Sequence, residues 1–222
     1  MTVVKGMPPE PVEGPSTGSG RVSRRTQADR RDQTRAALLE SAARHLSRYG
    51  YGNVVLEQIA RDAGYTRGAL YYLFADKQEL SQAVIDWVLD TWAEEVAPQV
   101  DAEADPVAAL FTLARAHARF CRRDLARVAM ALRVEFSGQD HPVGQVVEAA
   151  YADLVARCER LIGAARDAGT LPAGPPARVT AHALVGALEG VTIALAGQRT
   201  YDELYAAQVA AGVLGIDIRE QP

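Results

Sequence analysis

The sequence predicts an all-α protein of about nine helices, and three observations carry that expectation. From residue 34 onward, apolar residues recur at three- and four-residue spacing almost without interruption, the period of amphipathic helices. Runs in which β-branched residues alternate with polar ones, the mark of a half-buried strand, are scarce. Gly and Pro fall between the periodic stretches, where helices end and begin. At 222 residues, 48% of them apolar, the chain is long enough to bury a proper core.

The elements follow in order. Residues 1–20 (MTVVKGMPPEPVEGPSTGSG) are rich in Pro, Gly and Ser and are expected to be disordered. They contain a literal G-x-S-x-G, Gly14 to Gly18, but a nucleophile elbow needs a strand before it and a helix after it, so the match is chance. Residues 21–31 (RVSRRTQADRR) hold five arginines. They read either as a solvated charge run or as an arm that follows a DNA backbone or enters a minor groove. Residues 1–30 are thus assigned to an arginine-containing, disordered N-terminal arm.

A first helix is expected from Thr34, a suitable N-cap, to Tyr49, with Leu38, Ala42, His45 and Leu46 on one face and Gly50 ending it. A short second helix spans Leu56 to Ala63 with Ile59 and Ala60 facing inward. Gly64 closes it, and Thr66 caps a third helix starting at Arg67. Helix, tight turn with Gly, helix, in a basic neighbourhood, is the pattern of a helix-turn-helix. Asp76 caps a long fourth helix that runs to about Ala97, where Pro98 stops it. Pro106 opens a fifth helix through Arg123, and Leu125 to Phe136 forms a sixth. Pro142 opens a seventh ending at Gly169, Pro175-Pro176 an eighth to Gly197, and Tyr201 to Leu214 forms the ninth.

Charge divides the chain. Residues 21–77 hold 11 Arg and Lys against 6 Asp and Glu, whereas residues 78–222 hold 12 against 20. Only the first part is suited to a polyanion. Cys121 and Cys158 form no CxxC, so a metal site, a disulfide framework and a cofactor are unsupported and a reducing cytoplasm is the expected location. They read as small core residues, with a redox-sensing role as the alternative. The first twenty residues lack the apolar segment of a signal peptide. No run of eighteen apolar residues exists, so no membrane partner is expected. H-E-x-x-H and P-loop motifs are absent, which argues against an enzyme.

Thr34-Arg35 through Leu80 resembles the DNA-binding domain of TetR/AcrR-type transcriptional regulators. The matching residues are Ala42-Ala43, Gly50-Tyr51, Ile59-Ala60, Ala63-Gly64, Gly68-Ala69-Leu70-Tyr71, Phe74, Lys77 and Leu80. The resemblance implies a three-helix helix-turn-helix DNA-binding domain over residues 31–91, with the fourth helix as link, and a helical ligand-binding and dimerisation domain over residues 92–222. Two positions depart from the family's pattern: Val55 stands where Thr usually opens the second helix, and Leu73 where His is common.

On this resemblance the expected DNA contacts are Thr34, Arg35, Thr66, Arg67, Gly68, Ala69, Tyr71, Tyr72 and Lys77. A recognition helix lies in a major groove about 12 Å wide, so small residues such as Gly68 and Ala69 permit close approach while Arg67 reaches a guanine or a phosphate. Tyr71 and Tyr72 offer hydroxyls to phosphates or ring edges to thymine methyls. Leu70, Leu73 and Phe74 anchor the helix. Lys77, in the first turn of the fourth helix, suits a phosphate.

The fourth to seventh helices carry Trp87, Trp92, Phe111, His117, Phe120, Met130, Phe136 and Tyr151. The resemblance makes them either an effector pocket or plain core, with His117 a polar point in an apolar cavity or a satisfied core histidine. A small apolar or aromatic effector is expected. The eighth and ninth helices resemble the family's dimerisation pair, giving Leu184, Gly186, Leu188, Gly190, Ala194, Leu204 and Ala211 as interface residues. The small-residue row Gly186, Gly190, Ala194 would equally permit an internal helix contact. The expected whole is a homodimeric repressor released from operator DNA by its effector. An all-helical carrier or an enzyme without DNA-binding function is the alternative.

Overall fold

In the computed structural model the described residues are 26–195 and 202–217. They form α1 (Gln27–Asn53), α2 (Leu56–Asp62), α3 (Arg67–Leu73), α4 (Lys77–Glu95), α5 (Ala97–Asp101), α6 (Pro106–Phe120), α7 (Asp124–Glu135), α8 (Pro142–Asp167), α9 (Ala177–Ala194) and α10 (Asp202–Leu214). No strand occurs among the described residues. Residues 1–25 of the expected arm (1–30), and residues 196–201, where the eighth helix was expected to end and the ninth to begin, lie outside them.

α1 begins earlier than its apolar periodicity indicates. Thr26, not Thr34, is the N-cap: its hydroxyl accepts from the Asp29 N–H at 3.1 Å, and the Asp29 carboxylate accepts from the Thr26 N–H at 2.8 Å. This reciprocal pair satisfies two otherwise orphaned donors, and it makes residues 27–30, assigned from sequence to the arm, the first turn of the helix. Thr34 lies inside, its hydroxyl donating to the Arg30 carbonyl at 2.8 Å. At the other end the helical path breaks at Gly50 (φ 73°, ψ 169°) before the turn Tyr51–Asn53.

Pro98 does not stop the fourth helix. α4 ends at Glu95, and Pro98 sits in the first turn of the short α5. A proline's missing N–H costs nothing there, because first-turn donors have no helical partner.

α1, α2 and α3 close over Leu38, Ala42, Leu46, Ile59, Leu70 and Phe74, all buried. This small core continues through Leu80, Val84 and Val88 of α4 into Leu110, Leu113, Cys158, Ile162, Leu184 and Ala210 of the helical body, forming one connected apolar cluster. α1 packs along α7, α8 along α9, and α10 against α6 and α9. Among the described residues no helix is long and apolar enough to cross a membrane.

Candidate nucleic-acid interface and internal cavity

α3 presents two unlike faces. Leu70 and Phe74 are buried and Leu73 packs against the core. Arg67, Gly68, Tyr71 and Tyr72 face outward, with Tyr72 78% exposed. Thr66 caps the helix, its hydroxyl accepting from the Ala69 N–H at 3.2 Å. Arg67 pairs with Glu57 at 3.0 Å and lies over the Tyr71 ring, 5.1 Å from its centroid. A Cβ built on Gly68 would meet only the Thr66 hydroxyl, at 3.8 Å, an ordinary contact. The fold therefore does not require glycine there.

The early start of α1 creates a groove of about 520 Å³ against α3, lined by Arg30, Arg31, Thr34, Ala69, Tyr72 and Leu73. Neither Arg30 nor Arg31 has a carboxylate partner among the described residues. These two arginines were not individually foreseen, because the helix was started too late. Arg35 is exposed and lies over the Phe74 ring at 5.5 Å. Val55 stands at the start of α2, exposed and without a side-chain cap.

Lys77, expected to meet a phosphate, also has partners within the protomer. Its ammonium is half-buried, donates to the carbonyls of Tyr51 at 2.8 Å and Gly52 at 3.4 Å, and lies over the Tyr51 ring at 4.4 Å. These are the carbonyls that α1 leaves open after Gly50. On the other side of the same turn, the Glu135 carboxylate accepts from the N–H groups of Tyr51 at 2.6 Å and Gly52 at 2.7 Å. Gly50 allows this approach, since a Cβ on it would stand 2.7 Å from Glu135 Oε2. Tyr51, Phe136 and His141 cluster beside this turn, with Phe136 and His141 stacked at 4.3 Å.

Between α4, α6, α7, α8 and α9 lies a cavity of about 410 Å³. Five of the eight sequence-derived residues line it: Trp92, His117, Phe120, Met130 and Tyr151. Three do not. Phe111 is spent in the core, Phe136 in the cluster with Tyr51 and His141, and Trp87 packs against the core outside the cavity. Sequence reading missed the polar lining. Arg133 contacts Glu148 at 3.1 Å and Glu189 at 3.3 Å, and its guanidinium lies 3.3 Å from the Tyr151 ring centroid. Burial pushes the Glu189 carboxyl up from the usual range, against the pull of Arg133. Glu189 had one legible signal: it is the only carboxylate in α9.

His117 is half-buried at the cavity wall and uncharged, its pKa lowered to about 4 by desolvation. Its Nδ1 accepts from the Trp92 indole N–H at 3.3 Å, which leaves the ring proton on Nε2, 3.5 Å from the Cys121 sulfur. Burial also pushes the Cys121 thiol up to about 12, so it is no thiolate nucleophile. The Thr192 hydroxyl bonds to that sulfur and donates onward to the Leu188 carbonyl at 3.1 Å.

α9 and α10, the predicted eighth and ninth helices, divide the proposed interface residues. Leu184, Leu188 and Ala211 are buried within the protomer, so they are core rather than contact residues. Gly186, Gly190, Ala194 and Leu204 are exposed, beside Ile193 at 66% exposure. A Cβ on Gly186 or Gly190 would meet nothing within 4 Å. Close packing inside the protomer therefore does not explain the glycine row.

Residues 38–84 match the family model of bacterial regulatory proteins of the tetR family. The chain is 31% identical over 120 residues to the A-factor receptor protein of Streptomyces griseus, covering 53% of this chain and 41% of that protein. It is 38% identical over 85 residues to the transcriptional regulator TtgR of Pseudomonas putida, covering 38% of this chain and 40% of that protein. The matched stretch thus spans about two fifths of these curated relatives. The fold is similar to that of AibR, solved with isovaleryl coenzyme A and operator DNA, with a TM-score of 0.68 and 21% identity over 83% of this chain and all (100%) of that one.

Proposed function

We infer that this chain, whose residues 38–84 belong to the tetR family of bacterial regulatory proteins, is a cytoplasmic, homodimeric repressor that a small molecule releases from operator DNA. The observation that carries the reading is the outward face of α3, where Arg67, Gly68, Tyr71 and Tyr72 stand exposed on a helix anchored by buried Leu70 and Phe74. A helix fixed in this way can enter a major groove without rearranging its core. Arg67 reads a base or a phosphate, Gly68 lets the backbone approach, and the tyrosine hydroxyls meet phosphates. The groove with Arg30, Arg31 and Thr34 continues that surface toward the backbone, while Thr66 and Ala69 form the leading turn. Arg35, exposed on α1, adds positive charge beside it.

The cavity is the effector site in this reading. AibR, which shares the fold, was solved with both a ligand and operator DNA. The exposed glycine row of α9 with Leu204 of α10 is the dimer contact, and the dimer sets the spacing of two α3 helices. Effector binding moves α4 and α7, both of which line the cavity and hold the turn Tyr51–Gly52. An effector that weakens DNA binding must bind the DNA complex more weakly by the same factor. An electrophoretic mobility shift with DNA flanking the chain's own gene tests the reading. A retarded band resistant to unrelated competitor is expected, and its absence at any concentration below that needed to shift unrelated DNA contradicts it.

A further inference from the structure

The cavity's polar groups limit what can enter it. Arg133 is held by Glu148 and Glu189, and Arg157 by Asp101. At the outer wall Arg160 and Asp153 carry opposite charges. Both are exposed and, among the described residues, without an ion pair of their own, so a charge is tolerated at the rim. A charged group placed deep beside Arg133 or Arg157 would instead have to break a formed pair, which is unfavourable in a desolvated site. One group does have a better partner than it now holds. The Trp92 indole fixes the proton of His117 on Nε2, and that donor meets only a thiol sulfur, at 3.5 Å. Sulfur is a weak acceptor, and an oxygen would be a stronger one.

Resting on the reading of this cavity as the effector site, we propose that the effector is an uncharged, mainly apolar molecule with a carbonyl-type oxygen, which accepts a hydrogen bond from His117 Nε2. Val88, Leu89, Phe120 and Leu154 hold its apolar body. Because Nδ1 is already occupied, His117 offers one donor and no acceptor, so it selects an acceptor over a donor. It also stays neutral near pH 7, so it does not attract an anion.

Three probes with one carbon skeleton separate the possibilities: 2-nonanone, nonanoate and nonylamine, each titrated near neutral pH. Quenching of the fluorescence of the chain's two tryptophans, one of which lines the cavity, and the rise in melting temperature report binding. The ketone is expected to bind at least about tenfold more tightly than either ion, the factor worth one unmade or unpaired polar contact. His117→Phe should weaken ketone binding about tenfold. His117→Gln, whose amide still donates, should keep most of it, and this rescue separates the hydrogen bond from a packing defect. Tighter binding of nonanoate or nonylamine, or unchanged ketone binding by a folded His117→Phe protein, overturns the proposal while leaving a ligand-responsive regulator intact. No response to any probe overturns both this proposal and the cavity's role as effector site, whereas the mobility shift tests DNA binding independently.

Discussion

Glu135 and Lys77 hold opposite sides of one backbone turn. Glu135 accepts the N–H groups of Tyr51 and Gly52, and Lys77 donates to the carbonyls of the same two residues. Both come from helices that line the cavity: Ala129, Met130 and Arg133 precede Glu135 on α7, and Val88 and Trp92 follow Lys77 on α4. The turn closes α1, which packs on α2 and α3. A shift of α7 relative to α4 would therefore act on the DNA-facing helices through this turn as well as through the packing of α1 on α7.

Glu135→Ala leaves two N–H groups without their charged acceptor and is expected to destabilise the chain by about 1–3 kcal/mol. Gly50→Ala forces a side chain into the left-handed region, at about 1–2 kcal/mol, and also against the Glu135 carboxylate. The second cost disappears when Glu135 is gone, so the pair should couple by about 1 kcal/mol. Urea denaturation of the four proteins of the cycle measures this, and strict additivity would show that the close approach costs nothing.

Gly68→Ala should separate folding from DNA binding. Nothing in the protomer crowds a Cβ there, and alanine in a helix is better than glycine by about 0.5–1 kcal/mol. The melting temperature should rise slightly while affinity for a bound duplex falls. A variant that binds DNA as tightly as the parent would remove the backbone of Gly68 from the interface.

Acid should destabilise the chain through His117. Its folded pKa, about 4, lies below the ordinary 6.5, so between these values the unfolded chain binds a proton that the folded chain refuses. Stability then falls as pH drops from 6.5 toward 4, by roughly 3 kcal/mol at 1.36 kcal/mol per pKa unit. The neighbouring Glu189, with its raised pKa, works in the opposite direction. The check is the difference between parent and His117→Phe across this range. Parallel pH profiles would mean that His117 is protonated as readily in the folded protein as in the unfolded one.

Much of this architecture is legible from local patterns. The apolar period, the Thr66 and Asp76 caps and the glycine turns fix α2, α3 and the start of α4, since each is decided within a few residues. The start of α1 was misread because its first turns are polar and exposed, so the capping pair Thr26–Asp29 was the only signal there. Which aromatics face the cavity depends on how five helices assemble: helical period sets Phe111 and Phe120 on opposite faces of α6 but cannot tell which face meets the cavity. The role of Glu135 joins residues more than eighty positions apart, and no local pattern marks it. That Lys77 also donates to two carbonyls exposed by the break at Gly50 is hidden for the same reason, since they lie 26 and 25 residues away in sequence.

Gly190→Arg should dissociate the dimer without unfolding the protomer, because the substituted side chain points into open space there. Sedimentation at micromolar concentration should show a dimeric parent and a monomeric variant with the same helical content. A monomeric parent would remove α9 and α10 as an interface.

The most direct measurement is selection of duplexes by the purified chain from a random pool, followed by titration of the recovered sequence at several salt concentrations. Enrichment of a two-fold symmetric site is expected, its half-sites about 34–36 Å apart or a multiple of that, with affinity falling steeply as salt rises and Arg67→Ala relaxing preference at one base position. Recovery of no common sequence, with binding equal to that for arbitrary DNA, would contradict a sequence-specific regulator.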